Sequence, residues 1–136
     1  MAQSELRPEL TLEGFELYKA ARLFRKDLYE LSRQLPADEK FNLCQQMRRA
    51  ALSVTANIAE AHGRFHFRDA SRFYLQSRGS VSEILDQLNL CLDEGYGHTE
   101  NVDALKKRTY DLIARINGYV SYLRKRCQDQ SEEKLD

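Results

Sequence analysis

The sequence predicts an all-α protein: an antiparallel up-down-up-down four-helix bundle that associates with further copies of itself. Apolar or small residues recur at alternating steps of three and four in four successive stretches, and only short breaks separate those stretches. Helix-breaking residues are scarce, since the 136 residues include only two prolines and six glycines. A proline inside a helix costs about 3 kcal/mol, so this scarcity favours long helices.

Each stretch carries one apolar seam, meaning the row of side chains expected to face the core. The first two seams are Leu17, Ala21, Phe24, Leu28, Leu31 and Leu35, and Cys44, Met47, Ala51, Val54, Ile58 and Ala61. The third is Phe67, Ala70, Tyr74, Ser77, Val81, Leu85, Leu88 and Leu92, with Ile84 and Cys91 beside it. The fourth is Val102, Leu105, Thr109, Leu112, Ile116, Tyr119 and Leu123. Alternation with period two never dominates, so β-strands are not expected.

The breaks predict where the helices begin and end. Pro36 stops the first helix, and Asp38 is expected to cap the second. Gly63 is expected to end the second helix in the left-handed conformation. The third helix is expected to end at the two glycines of the sequence EGYGH, with Thr99 capping the fourth. Loops this short place neighbouring helices antiparallel.

The composition restricts the classes of function. Lys plus Arg and Asp plus Glu both number 21, so there is no strong overall field to attract nucleic acid. No apolar stretch is long enough to span a membrane, and the first ten residues lack the apolar core of a signal peptide. Three cysteines in no metal-binding spacing then indicate reduced thiols and a cytoplasmic location. The bundle is assigned to residues 11–127, between a flexible N-terminal tail, 1–10, and an acidic C-terminal tail, 128–136.

A second apolar face on the third helix predicts a homo-oligomer. Leu75, Gly79 and Leu90 lie roughly opposite the core seam, and Glu83 shares their face. Glycine on a solvated helix face costs about 1 kcal/mol relative to alanine. Its presence on this face is explained if another backbone approaches closely. The alternative is that these are scattered surface residues, which are normal in monomers.

A polar stripe on the second helix predicts a structural hydrogen-bond network. Arg49, Ser53, Asn57 and Glu60 lie within about 80° of one another on the helix. Such a network fixes helix register or a subunit contact, and we favour that interpretation over an active site.

Two blocks of sequence resemble a known family. The segment RRAALSVTANIAE at 48–60, and RFYL, GSVSE and EGY between 72 and 96, are similar to proteins encoded in intervening sequences of bacterial 23S ribosomal RNA genes. The resemblance covers roughly residues 13–126. Ala61 stands where the family usually has Gly, and Tyr18 where Trp is common. His66 occupies the usual Ser/Thr cap of the third helix, with Asp69 as its acidic partner.

The resemblance implies an up-down four-helix bundle, commonly assembled as a pentameric ring, with no assigned enzymatic activity. Accessory subunits of diversity-generating retroelements are similar in fold. Those subunits are basic pentamers that associate with a reverse transcriptase and nucleic acid. A likeness at the level of fold is a weak guide to function.

The residue patterns indicate neither a catalytic site, nor a metal site, nor a cofactor. His62 and His66 are four residues apart, but Gly63 lies between them and no third ligand is evident. The sequence contains no phosphate-binding glycine loop and no spacing that suggests a nucleophile with its base. We therefore expect that the protein is not an enzyme.

Basic residues cluster locally beside aromatic residues, and they are the candidates for nucleic-acid binding. The candidates are Lys19, Arg22 and Lys26 on the first helix, Arg64, Arg68 and Arg72 around the second break, and Arg108, Arg115, Arg126, Tyr119 and Tyr122 on the fourth helix. Arginine pairs with phosphates, and aromatic rings stack on unpaired bases. The alternative is that these long side chains flank the seams of the bundle, either in solvent or in the subunit interface.

The leading hypothesis is a non-catalytic oligomeric bundle that binds RNA or an RNA-handling protein. The alternative is an oligomeric scaffold that binds only protein, such as an accessory subunit of a reverse transcriptase. The two differ in salt dependence, because nucleic-acid binding weakens steeply as salt is raised.

Overall fold

The computed structural model describes residues 10–135, with side chains up to residue 130, and the secondary structure of this range is entirely helical. The four α-helices are α1 (Glu16–Arg33), α2 (Leu43–His62), α3 (Phe67–Glu94) and α4 (Thr99–Leu135). A short 3-10 helix, Ala37–Glu39, lies between α1 and α2. No strand occurs between residues 10 and 135, so the all-α prediction is confirmed. The predicted N-terminal tail lies outside the described residues except for Leu10.

Each helix packs against two neighbouring helices, so that the four helices enclose one core. Contacts join α1 to α2, α2 to α3, α3 to α4 and α1 to α4. Because α1 and α3 each pack against both α2 and α4, they occupy opposite corners of the bundle. The outer faces of α1 and α3 therefore point away from each other.

The predicted seams form the core. Phe24, Met47, Tyr74 and Ile116 are among the largest fully buried side chains, and each belongs to a different seam. The buried row departs from the predicted one towards some helix ends. Leu35, Cys44, Leu85 and Leu92 are only partly buried, whereas Leu43, Ile84, Cys91 and Val120 are fully buried. At 3.6 residues per turn, neighbouring positions compete for the core, and the direction of each partner helix selects between them.

Polar bonds between helices fix their relative positions. The bonds are Arg25 Nη1 to Thr55 Oγ1 at 2.8 Å, Ser77 Oγ to Val54 O at 2.8 Å, Arg78 Nη1 to Asn117 Oδ1 at 2.7 Å, and Arg108 Nη1 to Asp27 Oδ2 at 2.6 Å. The bonds of Arg25, Ser77 and Arg108 satisfy polar groups that are buried or partly buried beside the apolar core, whereas the bond of Arg78 is exposed.

Three predictions about helix ends are wrong, those for Asp38, Gly63 and Thr99. Asp38 does not cap α2, because it lies inside the 3-10 helix that Glu39 N–H closes on Pro36 O at 2.9 Å. This extra turn moves the start of α2 to Leu43. Gly63 has φ −82° and ψ −1°, which is right-handed, because α2 closes with ordinary helical bonds and the chain turns after it.

Helix α3 ends at the glycines of EGYGH, as predicted, and both glycines are left-handed. Gly95 and Gly97 both have φ 72°, and Tyr96 N–H closes the helix end on Cys91 O at 2.8 Å. Thr99 is the first residue of α4 rather than its cap, because the first backbone bond runs from Val102 N–H to His98 O.

The start of α3 has no side-chain cap, and α4 extends past its predicted end. His66 precedes α3 and makes no side-chain capping bond, in keeping with the poor capping ability expected of imidazole. Helix α4 continues beyond the predicted bundle boundary at residue 127, so the described part of the acidic segment is helical. None of the described helices is long and apolar enough to cross a membrane.

Candidate nucleic-acid interface

One end of the bundle gathers basic and aromatic side chains around a cleft of about 550 Å³. The cleft lies where α2 ends and α3 begins, with the C-terminal part of α4 alongside. Its lining includes Arg64, Phe65, His66, Phe67, Tyr119, Tyr122 and Arg126. We refer to this region as the turn-end cleft.

The connection between α2 and α3 presents one apolar ring to solvent. Phe65 belongs to neither helix and is fully exposed. Arg64 beside it places its guanidinium over the ring of Phe73 at 4.8 Å, and Arg72 lies over the same ring at 5.0 Å. Arg64 also pairs with Glu60 at 3.1 Å. Phe65 thus stands next to two arginines that Phe73 holds in place.

An aromatic cluster forms the inner wall of the cleft. The ring of Tyr119 lies 5.2 Å from Tyr74, 5.0 Å from Phe15 and 5.9 Å from Tyr122, measured between centroids. Burial raises the pKa of Tyr74 and of Tyr119 above the ordinary tyrosine value. Both phenols therefore remain protonated at neutral pH and can donate hydrogen bonds.

The α4 side of the cleft adds further stacked arginines. Arg126 Nη1 donates to Tyr122 Oη at 2.9 Å and lies over the same ring at 5.7 Å, and that bond raises the pKa of Arg126. Arg124 lies over Phe67 at 5.9 Å. Stacking occupies the flat face of a guanidinium, and its N–H edge is the part that pairs with phosphate.

The structure divides the predicted nucleic-acid candidates among three places. Arg64, Tyr119, Tyr122 and Arg126 line the turn-end cleft, with Arg72 stacked beside Arg64 and Arg68 exposed on the first turn of α3. Lys19, Arg22 and Lys26 lie exposed on the outer face of α1. Arg108 and Arg115 lie nearer the start of α4.

Each of these last two arginines is paired with an acid. Arg108 binds Asp27 at 2.6 Å, and Arg115 binds Asp111 at 2.9 Å. Arg108 therefore joins α4 to α1, and this structural role is enough to explain why an arginine stands at this position.

Sequence reasoning missed Phe65, Phe73 and Arg124 as parts of the site. Phe65 lies between Arg64 and His66, in a break that belongs to no seam. The presence of a phenylalanine in a polar turn is the signal from which an exposed ring could have been predicted. Arg124 and Phe67 lie on different helices and far apart in the sequence, so no local pattern predicts that they stack.

The predicted polar network on α2 is present only in part. Asn57 Nδ2 donates to Ser53 Oγ at 3.0 Å, and Ser53 Oγ lies 2.8 Å from Ser80 Oγ on α3. Glu60 pairs separately with Arg64. Arg49 is exposed and has no polar side-chain partner among residues 10–130. The network therefore runs from Asn57 to Ser53 along α2 and continues to Ser80 on α3, without Arg49 or Glu60.

The predicted oligomer face is exposed in the single chain. Leu75 and Leu90 are 42% and 36% exposed, and Glu83 is exposed as well. A Cβ atom built on Gly79 would meet no atom within 4 Å. The packing of one chain therefore gives no reason for glycine at this position.

The histidines of the turn do not form a metal site with other side chains. No group of three or more His, Cys, Asp or Glu in the described part of the chain is placed to hold a metal ion. The ring of His62 instead lies 5.3 Å from that of Phe15.

Comparison with known proteins identifies a family. A family model described as 23S rRNA-intervening sequence protein matches residues 13–118. This range holds α1, α2, α3 and the first part of α4, and it ends before Tyr122 and Arg126. No curated protein matches the chain.

Proposed function

The chain belongs to the 23S rRNA-intervening sequence protein family, and we propose that it is a non-catalytic, cytoplasmic, homo-oligomeric bundle that binds RNA. The observation that carries the proposal is the turn-end cleft, where exposed Phe65 stands among arginines stacked on Phe73 and Tyr122. Phosphate-pairing groups and base-stacking rings thus lie together at one cleft.

The chemistry of the cleft favours single-stranded RNA. Unpaired bases expose their faces for stacking, whereas the bases of a duplex stack on one another. A base stacked on an aromatic side chain contributes about 1–3 kcal/mol. Phe65 offers a whole ring for this purpose, and Tyr122 is half exposed. Arg64 and Arg126 flank these rings and supply charge for the phosphates.

The proposed assembly is a ring of up-down-up-down bundles, five in number by resemblance to the family. Arg25 bonds to Thr55, and Ser32 accepts a bond from Arg48, so positions on α2 fall as positions on α1 rise. This order supports antiparallel packing of those helices. A ring would present several clefts to one RNA, and such multivalency strengthens weak individual contacts.

The proposal is tested by measuring binding of a labelled single-stranded RNA by fluorescence anisotropy at several salt concentrations. We expect affinity that falls steeply with salt, because phosphate contacts release counterions. Phe65→Ala should weaken binding about 5- to 150-fold, which corresponds to about 1–3 kcal/mol per lost stack. Phe41→Ala is the matched control, since Phe41 is another exposed ring beside a cation, Lys40, in the α1–α2 connection.

The outcomes separate the alternatives. Equal affinity of the Phe65→Ala and Phe41→Ala variants would remove the cleft as the binding site. Absence of any RNA binding would favour the scaffold that binds only protein. RNA recovered at shorter length after incubation would contradict the non-catalytic part of the proposal.

A further inference from the structure

The row of side chains on the outer face of α3 is interrupted at Gly79, and we refer to this interruption as the recess. Gly79 leaves open space where a side chain would stand, and exposed Leu75 lies one turn away. Glu83 and Asp86 lie on the same face, and among the described residues neither is ion-paired. The recess is therefore apolar on one side and acidic on the other.

The outer face of α1 has the complementary features. Leu23 is 57% exposed on this face, where a leucine contributes nothing to the core. Arg22 and Lys26 flank it, and neither forms an ion pair within residues 10–130. A protruding leucine beside unpaired cations thus matches a recess beside unpaired carboxylates.

The two faces lie on opposite sides of the subunit, because α1 and α3 occupy opposite corners of the bundle. Contact between two different patches is heterologous, and it closes into a ring when the rotation between subunits is regular. Self-association of α3 with α3 would instead be isologous and would stop at a dimer.

The two features also lie at the same level along the bundle. The bonds that set the level are Arg25 to Thr55 and Ser53 to Ser80 through α2, and Arg108 to Asp27 and Arg78 to Asn117 through α4. Counting along antiparallel helices, the first route places Leu23 opposite Gln76 and the second places it opposite Glu83. These positions bracket Gly79. In a ring whose axis runs along the bundle, patches at the same level meet.

We propose that a second copy of this chain packs the outer face of its α1 on the outer face of α3, with Leu23 over Gly79 and Lys26 beside Glu83. This inference rests on the homo-oligomer of the proposed function and specifies its interface. Arg22 and Lys26, which the sequence marks as nucleic-acid candidates, then belong to the contact between subunits.

The first test is the mass of the full chain and its variants in solution, by size-exclusion chromatography with light scattering. Gly79→Leu should shift the oligomer to monomer, because the new side chain fills the recess. The matched control is Gly118→Leu, since Gly118 is also an exposed helical glycine with no atom within 4 Å of a built Cβ. That variant should keep the mass of the wild type.

The second test distinguishes the two faces. Leu23→Glu should also give monomer, and an equimolar mixture with Gly79→Leu should give a heterodimer, because each variant retains one intact face. Lys26→Glu and Glu83→Lys should each weaken assembly, and the double variant should restore it.

Each contrary result has its own meaning. A wild-type chain that is monomeric at micromolar concentration would overturn the proposed oligomer and this interface with it. A wild-type oligomer that Leu23→Glu leaves intact, while Gly79→Leu breaks it, would overturn only this interface and point to α3 packing on α3. An oligomer indifferent to both variants would overturn the interface as well.

Discussion

At the scale of single residues, Gln87 is the least favourably placed side chain of α3. It is 5% exposed, and both its amide nitrogen and its amide oxygen are buried without a hydrogen-bond partner among the described residues. An unpaired buried polar group costs about 1–3 kcal/mol, whereas an apolar group of similar size avoids this cost. Gln87 therefore destabilises the folded state relative to an apolar residue of similar size.

Replacement of Gln87 by leucine tests this interpretation. We expect Gln87→Leu to raise the free energy of unfolding by about 1 kcal/mol, measured by urea denaturation. Gln76→Leu on the same helix is the control, because Gln76 is exposed and its replacement should leave stability within about 0.5 kcal/mol. A destabilised Gln87→Leu protein would show that the amide has a partner in solution.

The burial of the Cys91 thiol leads to a prediction about the stability of the protein at alkaline pH. Its side chain is fully buried, and burial raises the pKa of the thiol from the ordinary 9.0 to about 11. The unfolded chain therefore loses this proton at lower pH than the folded one. The stabilisation is complete below pH 9 and is lost as the pH rises towards 11.

The expected slope is at most about 1.4 kcal/mol per pH unit for one proton. Cys91→Val should reduce the slope of the unfolding free energy between pH 9 and 10, and the slope that remains in the variant belongs to the tyrosines whose pKa is raised above 10.0 in the folded chain. Chemical denaturation at a series of pH values measures it. An identical slope in the variant and the wild type would show that the Cys91 thiol is not responsible.

At the scale of the helices, the connection between α3 and α4 depends on two glycines with positive φ. An alanine at Gly95 would have to adopt the left-handed conformation, which costs about 1–2 kcal/mol. At Gly97 the same strain applies, and a built Cβ would also lie 2.8 Å from Leu31 Cδ1. The α3–α4 connection is thus tied to packing against the end of α1.

These contacts predict an order of stability among three variants. Gly97→Ala should be the most destabilised, Gly95→Ala should lose about 1–2 kcal/mol, and Gly118→Ala should gain about 0.5–1 kcal/mol through helix propensity. Thermal or urea unfolding of the three proteins measures the order. A Gly97→Ala protein as stable as Gly95→Ala would mean that Leu31 moves aside at little cost.

The buried rows of the helices follow from sequence, because burial of a residue depends mainly on its own polarity and on helical spacing. Phe24, Val54 and Ile116 were predictable for this reason. Helix starts depend on competition between local bonds, and the 3-10 turn after Pro36 prevailed over capping by Asp38.

The site was predictable where its partners are close in sequence. Arg64, Arg68 and Arg72 are close together along the chain, and this basic cluster was visible as a pattern. The pairing of Arg108 with Asp27 joins residues 81 positions apart, so the sequence did not distinguish this structural arginine from one that binds phosphate.

At the scale of the whole molecule, the two proposed surfaces do not compete. The subunit contact uses the sides of the bundle, along α1 and α3, whereas the turn-end cleft lies at one end. In a ring whose axis runs along the bundle, every cleft would face the same side. The net charge of zero is compatible with RNA binding under this arrangement, because basic groups are concentrated where contact occurs.

The most direct measurement of the central claim is the position of bound RNA on the protein. A single-stranded RNA carrying 4-thiouridine is irradiated with the full chain, and mass spectrometry identifies the cross-linked peptides. The account predicts cross-links at Phe65 and Tyr122, beside Arg64 and Arg126. Cross-links confined to the outer face of α1, or to α4 near Arg108, would contradict it.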